Sequence, residues 1–472
     1  MSMSRRPLES QPEFWVATAD LPRSPGHPFY ERLNLLLDSA GFDRFCEEAC
    51  EKFFAEHLGR PSILPGVYFR MLMVGYFEKL DSERQIAWRC SDSNSLRSFL
   101  RLRPDERVPD HSSLSRLRTR LDLETHQVVF EWVLKRLAEH KLLKGRTLGV
   151  DATTMEANAA MRSIVRKETG ESYKDFITQL AMDSGIETPT AADLAKFDRK
   201  RKNKKVSNEE WHNPHDPDAK IGQTKDGRTR MGYKPEHAVD LETGAIVAAE
   251  LHPANHGDTT TIMGTLAKAA EVIDAIREDE TVAADTSKIE TKEVVADKGY
   301  HSGQTLVDLE AVDVRTYIAE PDRGRRHWCT SHADDAAFKR NEQRVVYNNR
   351  RRIRGARSKG MHRKRGELVE RTFEHALDDG GMRRAHLKGR ENISKRYLIH
   401  IAAFNLGLIM RTILGNGTPK GWADAAREGL RGLLRRCIVC MRQVTALVRE
   451  VARRVMNQAK ILIKPPTARF AA

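Results

Sequence analysis

The sequence predicts an α/β protein in which an all-helical N-terminal domain precedes a mixed sheet flanked by helices. Residues 28–145 repeat apolar side chains at i, i+3, i+4 and i+7, which is the period of amphipathic helices. From residue 145 onward, short β-prone runs alternate with helical segments, as in an α/β layer fold. With 472 residues, the chain is long enough for two or three domains.

The helical domain is assigned to residues 28–144 and follows an N-terminal tail of residues 1–27. Two short helical pieces, DSERQIAWRC and SDSNSLRSFL, precede PDHSSLSRLRTRL, a predicted helix that carries Arg116, Arg118 and Arg120. Short helices followed by a helix rich in Arg and Ser indicate a helix-turn-helix-like module that binds DNA through these arginines. A plain helical bundle with a basic face fits the same pattern, so both interpretations stay open.

The sheet-containing domain is assigned to residues 145–415. The pattern predicts a strand ending at Asp151, a hairpin around residues 241–244, a helix over 259–276 and a buried strand over 292–296 that leads to Asp297. A helix over 304–311, the strand VDVRTYIAE and a helix over 367–377 follow. A polar insertion at 156–230, expected to be helical and then loose, and a basic segment at 323–365 interrupt this order. A basic helical extension is predicted for residues 416–472.

Positive charge is concentrated in the basic segment. Residues 323–365 hold 15 Lys and Arg against three Asp and Glu, whereas the whole chain has a net charge of +14. Such a local block indicates a polyanionic partner, with Arg350, Arg351, Arg352 and Arg354 as its densest part. A solvated basic loop is the alternative interpretation.

Other classes of protein fit the sequence poorly. The chain has no run of about 18 uncharged apolar residues and no apolar stretch behind its basic N-terminus, so neither a membrane span nor a secretory signal is predicted. Six cysteines in this length fit a reduced, cytoplasmic compartment. Cys437 and Cys440 form one CxxC without a second pair at zinc-finger spacing, and two small apolar helix residues explain them better than a zinc site.

Three acids stand at informative places. Asp151 and Asp297 end predicted strands, and Glu370 lies on a predicted helix. Side chains at strand ends escape the packing of the sheet, and carboxylates are the ligands that hard cations such as Mg²⁺ prefer. Each acid also has an ordinary interpretation, as a helix cap, a turn residue or a solvated helix residue. Composition and periodicity alone do not choose among the 66 acids.

A resemblance makes that choice. The motifs VDATTMEANAA, GYKPEHAVDLETGAI with HPANHGDTTT, VVADKGYHSGQTL and ELVERTF resemble, in this order, those of bacterial insertion-sequence transposases of the DDE type. The later RRAHLKGRENISKRYLIHIAAFNLGLIMRTI resembles the end of their catalytic domain, so the resemblance covers about residues 28–415. It implies a ribonuclease-H-like catalytic fold behind a helical DNA-binding region, with Asp151, Asp297 and Glu370 as the catalytic and metal-binding acids.

The resemblance also implies a reaction and its partners. Two Mg²⁺ ions, or Mn²⁺, would support water attack at the element's terminal inverted repeats and then attack of the new 3′-hydroxyl on double-stranded target DNA. A homodimer in the synaptic complex is inferred from the joining of two ends to one target. An inactive transposase-derived DNA-binding protein and a nuclease of the same fold that does not join strands are the alternative functions.

The sequence departs from the related transposases around the third acid. These often carry a Tyr seven residues before it, an Arg four before and a Lys seven after, where this chain has Arg363, Gly366 and Leu377. Arg365, Arg371 or Lys388 could take over DNA contacts, and Lys364 is a further candidate. Glu367 and Glu374 compete with Glu370 because all three lie near one helix face.

Further polar residues are assigned structural roles. His237 and Asp240 are expected to be strand and turn residues, and Asp258 is expected to cap a helix at the end of a loop that holds His252, Asn255 and His256. His212, His215 and Asp216 are expected to lie in a polar loop rather than at a metal.

Overall fold

The structure is a computed structural model of the whole chain. The residues that it describes are 26–55, 62–201, 206–224, 227–282, 285–322, 324, 326, 328 and 333–424. Most of the predicted C-terminal extension, together with Cys437 and Cys440, lies outside these residues.

Helices alone build the described N-terminal region. They are α1 (Pro28–Ser39), α2 (Phe42–Cys50), α3 (Pro65–Phe77), α4 (Glu83–Ser91), α5 (Asn94–Phe99), α6 (His111–Arg120) and α7 (Leu123–Glu139). Five of them begin at a side chain that accepts a hydrogen bond from a backbone N–H of the first turn, which satisfies a donor that the helix leaves unpaired. These caps are His27, Ser82, Ser93, Asp110 and Asp122.

The second region contains a mixed sheet. Its strands are β1 (Thr147–Ala152), β2 (Met155–Glu156), β5 (Lys220–Gln223), β6 (Thr229–Asp240), β7 (Ile246–Pro253), β8 (Glu293–Ala296) and β9 (Arg315–Ile318), while β3 (Val165–Arg166) pairs separately with β4 (Trp211–His212). Strand β6 pairs antiparallel with β1 and β7, and β1, β8 and β9 pair in parallel. The carboxyl ends of β1, β8 and β9 therefore meet at one edge of the sheet.

Helices cover both faces of this sheet. They are α8 (Tyr173–Asp183), α9 (Ala191–Lys200), α10 (Asp258–Glu278), α11 (Gly303–Ala311), α12 (Ala333–Ile353), α13 (Ala356–Phe373) and α14 (Arg390–Leu414), of which α8 and α9 belong to the insertion. Successive strand residues face opposite sides: Glu236 bonds threonines of α10, whereas His237 bonds side chains of α13 and α14. Helix α10 thus lies on one face, and α13 and α14 lie on the other. The predicted ribonuclease-H-like fold behind a helical region is confirmed.

Helix α14 joins the two regions. It packs against α3 and α7 of the N-terminal region and against β7 of the sheet. Arg396 donates to the Leu80 carbonyl at 2.7 Å, and Lys395 donates to the Arg118 carbonyl at 3.2 Å. The stretch Arg390–Asp424 is long and apolar enough to cross a membrane by composition, yet 67% of its most apolar window is buried within the protein. It is the core helix that both regions share.

The two interrupting segments contain more structure than the sequence indicated. The basic segment, expected to interrupt the order of elements, contains all of α12 and the first half of α13. The helix expected over 367–377 begins at Ala356 and changes at Glu374 into a π-helical turn over Glu374–Asp379. The insertion contains α8 and α9, as expected for its helical part, but also the short strands β3, β4 and β5.

Candidate active site

Two of the three candidate acids lie side by side at the carboxyl ends of β1 and β8. The parallel register pairs Gly149 with Val295, so the same register continued by two residues sets Asp151 beside Asp297. The charge of Asp297 contributes to the raised pKa of Asp151, as expected for neighbouring carboxylates. The sheet itself therefore brings these two acids together.

The Asp151 carboxylate is largely buried and has a cationic partner. Burial is the main reason that its pKa is raised, and the guanidinium of Arg365 opposes this effect. Arg365 Nη1 donates to Asp151 Oδ2 at 2.8 Å, and the Ala152 N–H donates to Oδ1 at 2.9 Å. The first candidate acid is thus engaged by a cation from α13.

Asp297 begins a short 3₁₀ turn, in which its Oδ1 accepts from the Gly299 N–H at 2.8 Å. A Cβ atom at Gly299 would collide with the carboxylate of Asp258 and lie 3.1 Å from Asp297 Oδ1. Glycine therefore permits a close approach of Asp258 to this turn. Lys234 forms an ion pair with Asp258 and offsets its charge.

Glu370 is exposed on α13, the helix that packs against β1 and β8. Within the described ranges, no group of three His, Cys, Asp or Glu side chains lies close enough together to hold a metal ion. The structure thus gathers Asp151 and Asp297 but not Glu370. Of the two competing acids, Glu367 pairs with Arg371 at 2.9 Å, and Glu374 is exposed where the π-helical turn begins.

An open cleft lies next to Asp151. Its volume is about 500 Å³, and its walls include Ala152, Thr153, Lys234, His256 and Asp258. The Lys234 side chain is almost fully buried, and its Nζ also donates to the His256 carbonyl at 3.1 Å. The motifs GYKPEHAVDLETGAI and HPANHGDTTT contain Lys234 and Asp258, but the sequence predicts no role in the acid site for either residue. Their proximity depends on the fold, because they lie on β6 and α10.

Behind Asp297, the buried side chain of Glu236 holds the sheet to α10. It accepts hydrogen bonds from Thr261 at 2.7 Å and from Tyr300 at 2.9 Å, and it also accepts from Thr265. Burial alone would raise the pKa of Glu236, but hydrogen bonds from His252, Thr265 and Thr261 outweigh it and lower the pKa. This carboxylate is thus engaged by several side-chain donors and serves the fold.

Comparison with protein families decides what this geometry belongs to. A family described as "Transposase DDE domain" matches residues 150–406, more than half of the chain. The chain belongs to the DDE transposases of insertion sequences. A second family, described as "Transposase domain (DUF772)", matches residues 19–120 of the transposase, which include α1 to α6. No curated protein sequence matches the chain.

The transposase presents two of the three predicted arginines of α6 on its surface. Arg116 and Arg120 are exposed, and with the hydroxyls of Ser112, Ser113 and Thr119 they line a groove of about 1030 Å³. The expectation for the third, Arg118, was wrong.

Arg118 is buried, forms an ion pair with Glu83 of α4 and contacts Asn392 of α14. A buried, paired guanidinium holds the helices together and is not available to DNA.

The arginines of the basic segment divide in the transposase into two that are bound to other side chains or backbone and two that are exposed. Arg350 makes two hydrogen bonds to the Glu320 carboxylate, at 2.5 and 2.9 Å, and Arg352 donates to the backbone and hydroxyl of Thr316 at 3.0 Å. These two predicted DNA contacts instead fasten α12 to the segment around β9. Arg351 and Arg354 are exposed, and no ion pair engages them among the described residues.

The remaining candidates divide in the same way. Lys364 is exposed, and Arg371 is exposed beside Glu367, whereas Arg365 points inward to Asp151. Lys364 and Arg371 therefore stay candidates for DNA contact on α13, and Arg365 belongs to the acid site.

Most of the polar residues given structural roles have them. Asp240 accepts from the backbone N–H groups of Lys144 and Gly145, and Asp216 accepts from the Tyr233 hydroxyl at 2.8 Å. The expectation that Asp258 caps α10 was wrong, since the cap is Gly257 and Asp258 is the first helical residue, turned toward Lys234.

Proposed function

We propose that this transposase cleaves DNA at the ends of an insertion sequence and joins them to target DNA, using Asp151, Asp297 and Glu370 as its metal-binding acids. The observation that supports the proposal best is the pair of aspartates at the ends of two neighbouring parallel strands, under a helix that carries the third acid. The family match covers all three positions.

The donor set fits a hard divalent cation. The two aspartates offer only carboxylate oxygens, the ligands that Mg²⁺ and Mn²⁺ prefer. Burial is the main cause of the raised pKa of Asp151, and the charge of Asp297 adds to it; a bound cation would offset both effects by stabilising the charged carboxylate. A pair of bound Mg²⁺ ions would supply activation of the attacking oxygen and stabilisation of the leaving oxygen.

Glu370 is proposed to complete the acid set when DNA is bound. It is exposed and lies on a helix that packs against both strands. Among the described residues, its carboxylate forms no buried ion pair that metal binding would have to break. Glu367 is engaged by Arg371, which favours Glu370 between these two neighbours.

DNA is proposed to contact two basic surfaces. The exposed Arg351, Arg354, Lys364 and Arg371 would neutralise backbone phosphates near the acids, and these contacts would position the duplex without reading its sequence. The groove along α6, with Arg116 and Arg120, would hold the terminal inverted repeat. A homodimer acting in the cytoplasm completes the proposal.

The test uses isosteric variants, so that packing changes little. Asp151→Asn, Asp297→Asn and Glu370→Gln should each lower the rate of Mg²⁺-dependent cleavage of a labelled duplex carrying the terminal repeats by on the order of a hundredfold or more. Glu367→Gln and Glu374→Gln are the matched controls on the same helix, and they should cleave at nearly the normal rate. Binding of the duplex should persist in all five.

The readouts separate the alternatives. Full cleavage by the three acid variants would refute the site, and loss of activity in Glu374→Gln with retention in Glu370→Gln would move the third acid by one turn. Labelled ends that are cleaved but never become covalently attached to target DNA would identify a nuclease without strand transfer. No cleavage by the unaltered protein, with tight repeat binding, would identify an inactive DNA-binding relative.

A further inference from the structure

His237 occupies a special place relative to the acid site. In the antiparallel register of β1 and β6 it lies directly opposite Asp151, so the two side chains project from the same face of the sheet. His237 is fully buried, and its ring stacks on Phe373 of α13 with centroids 4.2 Å apart. Both ring nitrogens have partners: Nδ1 lies 2.9 Å from the Thr372 hydroxyl, and Nε2 lies 2.6 Å from the Tyr397 hydroxyl.

The hydrogen bonds have one consistent direction. The Thr372 hydroxyl donates its only proton to the Val369 carbonyl at 2.7 Å, so its oxygen accepts from His237 Nδ1–H. The ring is then the tautomer with a bare Nε2, which accepts from the Tyr397 hydroxyl. The three hydrogen bonds therefore donate in the same direction, from Tyr397 on α14 through His237 on β6 to Thr372 on α13. This path ends at the carbonyl of Val369, the residue before Glu370.

Among the described residues, two side-chain hydrogen bonds join α13 to the β1–β6 pair, and this path contains one of them. The other is the bond from Arg365 to Asp151. Arg365 precedes Glu370 along the helix, whereas Thr372 follows it. Regular α-helix ends at Phe373, and the wider π-helical turn begins at the next residue. The contact with Thr372 thus holds the last regular turn of the helix, the turn that carries Glu370.

We propose that the Tyr397–His237–Thr372 relay is a positioning device that sets the third acid against the strand-end aspartates. The proposal rests on the proposed role of Glu370 as a metal ligand. None of the three relay residues touches DNA or metal in this scheme. Their effect on the reaction passes through the orientation of α13.

The principal test compares Thr372→Val, which keeps the shape but removes the hydroxyl, with Thr372→Ser, which keeps the hydroxyl. In Thr372→Val the Mg²⁺ concentration for half-maximal cleavage should rise about tenfold, as expected when about 1.4 kcal/mol of positioning is lost. The dissociation constant for repeat DNA should stay the same, and Thr372→Ser should behave as the unaltered protein. Thr412→Val is the matched control, because Thr412 makes the same bond to a carbonyl three residues earlier, at 2.7 Å, without a histidine.

A readout other than activity accompanies this test. Affinity for Mn²⁺ in the presence of uncleavable repeat DNA, measured by calorimetry, should weaken in Thr372→Val and in Tyr397→Phe but not in Thr412→Val. Tyr397→Phe alters the far end of the relay by one oxygen atom, and it keeps the proposal testable if Thr372→Val fails to fold. Nitrogen-15 NMR of the full chain should show His237 with its proton on Nδ1.

The outcomes distinguish this proposal from the proposed function. If Thr372→Val and Tyr397→Phe keep the normal Mg²⁺ midpoint and Mn²⁺ affinity while Glu370→Gln is inactive, the relay does not position the acid and the proposed function stands. If Glu370→Gln cleaves normally, the proposed function itself fails. A Thr372→Ser variant as impaired as Thr372→Val would also overturn the proposal, since the hydroxyl would then not be the group that matters.

Discussion

Replacing Arg365 should make the protein bind divalent metal more tightly in the absence of DNA. Arg365 Nη1 lies 2.8 Å from Asp151 Oδ2, and the two side chains are only 13% and 16% exposed. A cation that binds Asp151 must therefore either displace this guanidinium or share the carboxylate with it. Arg365→Gln keeps a hydrogen-bond donor, on a shorter side chain, and removes the competing charge.

The magnitude follows from the geometry of the pair. Two unit charges about 4 Å apart attract by about 4 kcal/mol at an effective dielectric constant of about 20, and the cost of burying the guanidinium offsets part of this. With a net competition of about 2 kcal/mol, Arg365→Gln should bind Mn²⁺ roughly 30-fold more tightly. The same substitution should slow cleavage if Arg365, once released from Asp151, contacts a phosphate of the DNA.

Calorimetric titration of the DNA-free protein with Mn²⁺ measures this difference directly. Arg371→Gln is the matched control, since Arg371 also pairs with an acid of α13, Glu367, but the two side chains are 45% and 61% exposed. Exposed pairs contribute less than about 1 kcal/mol, so this control should leave the affinity nearly unchanged. Unchanged or weaker Mn²⁺ binding by Arg365→Gln would refute the view that Arg365 and metal compete for Asp151.

Two further predictions concern DNA binding and acid stability. Neutralising the exposed Arg351 and Arg354 should flatten the dependence of DNA affinity on salt concentration by about 0.9 per lost phosphate contact. Arg350→Gln, which breaks the pair with Glu320, should leave this slope unchanged. Equal slopes in all variants would show that the surface of Arg351 and Arg354 does not contact DNA phosphates. Burial lowers the pKa of His126 to about 4 and the pKa of His237 and of His400 to about 3. Between roughly pH 6.5 and pH 4 the unfolded chain therefore binds more protons than the folded one, so stability rises with pH by about 1.4 kcal/mol per pH unit for each histidine. Urea titrations between pH 5 and 7 measure this pH dependence of the free energy of unfolding. In His400→Gln the slope should be smaller by the contribution of one histidine, and an unreduced slope would contradict the lowered pKa of His400.

The two aspartates could be predicted from the sequence because their positions follow from local patterns. A short β-prone run that ends in an acid predicts a side chain at a strand end, and Asp151 and Asp297 both lie there. The parallel pairing that sets them side by side comes from the arrangement of the strands, which no local pattern contains. The ordered motifs of the family supplied that information.

The start of α13 could not be predicted because its inward face is polar. In the first three turns, the buried side chains are Ser358 and Met361, and the half-buried Arg365 reaches Asp151, whereas the apolar Val369 and Phe373 are buried only further along. The first half of the helix binds the sheet largely through the ion pairs of Arg357 with Glu293 and of Arg365 with Asp151, in place of the usual apolar stripe. Hydrophobic periodicity therefore appears only from residue 367 onward and misses the first three turns.

Which arginines face outward also depends on tertiary partners. Consecutive helix residues point about 100° apart, so a run of three arginines spreads over more than half of the helix circumference and meets different surroundings. Glu320 and Thr316 determine that Arg350 and Arg352 face inward and Arg351 outward. Glu83, 35 positions earlier in the chain, removes Arg118 from the DNA-binding set. Charge density in the sequence located the basic segment, and the acceptors that divide it lie elsewhere in the chain.

The acid site thus combines two kinds of placement. Asp151 and Asp297 follow closely on the paired residues of β1 and β8, whereas the place of Glu370 depends on side-chain contacts that hold α13 to the sheet. One of these contacts, from Arg365, uses the carboxylate that metal would need on the proposed function, so metal and Arg365 would compete for Asp151. The contact through His237 and the ion pair of Arg357 with Glu293 of β8 use neither strand-end aspartate, so both would remain if Arg365 left Asp151. The helix would then stay attached to the sheet on either side of Arg365. On the proposed function, Arg365 could therefore turn from Asp151 to DNA while the turn that carries Glu370 kept its place beside the sheet.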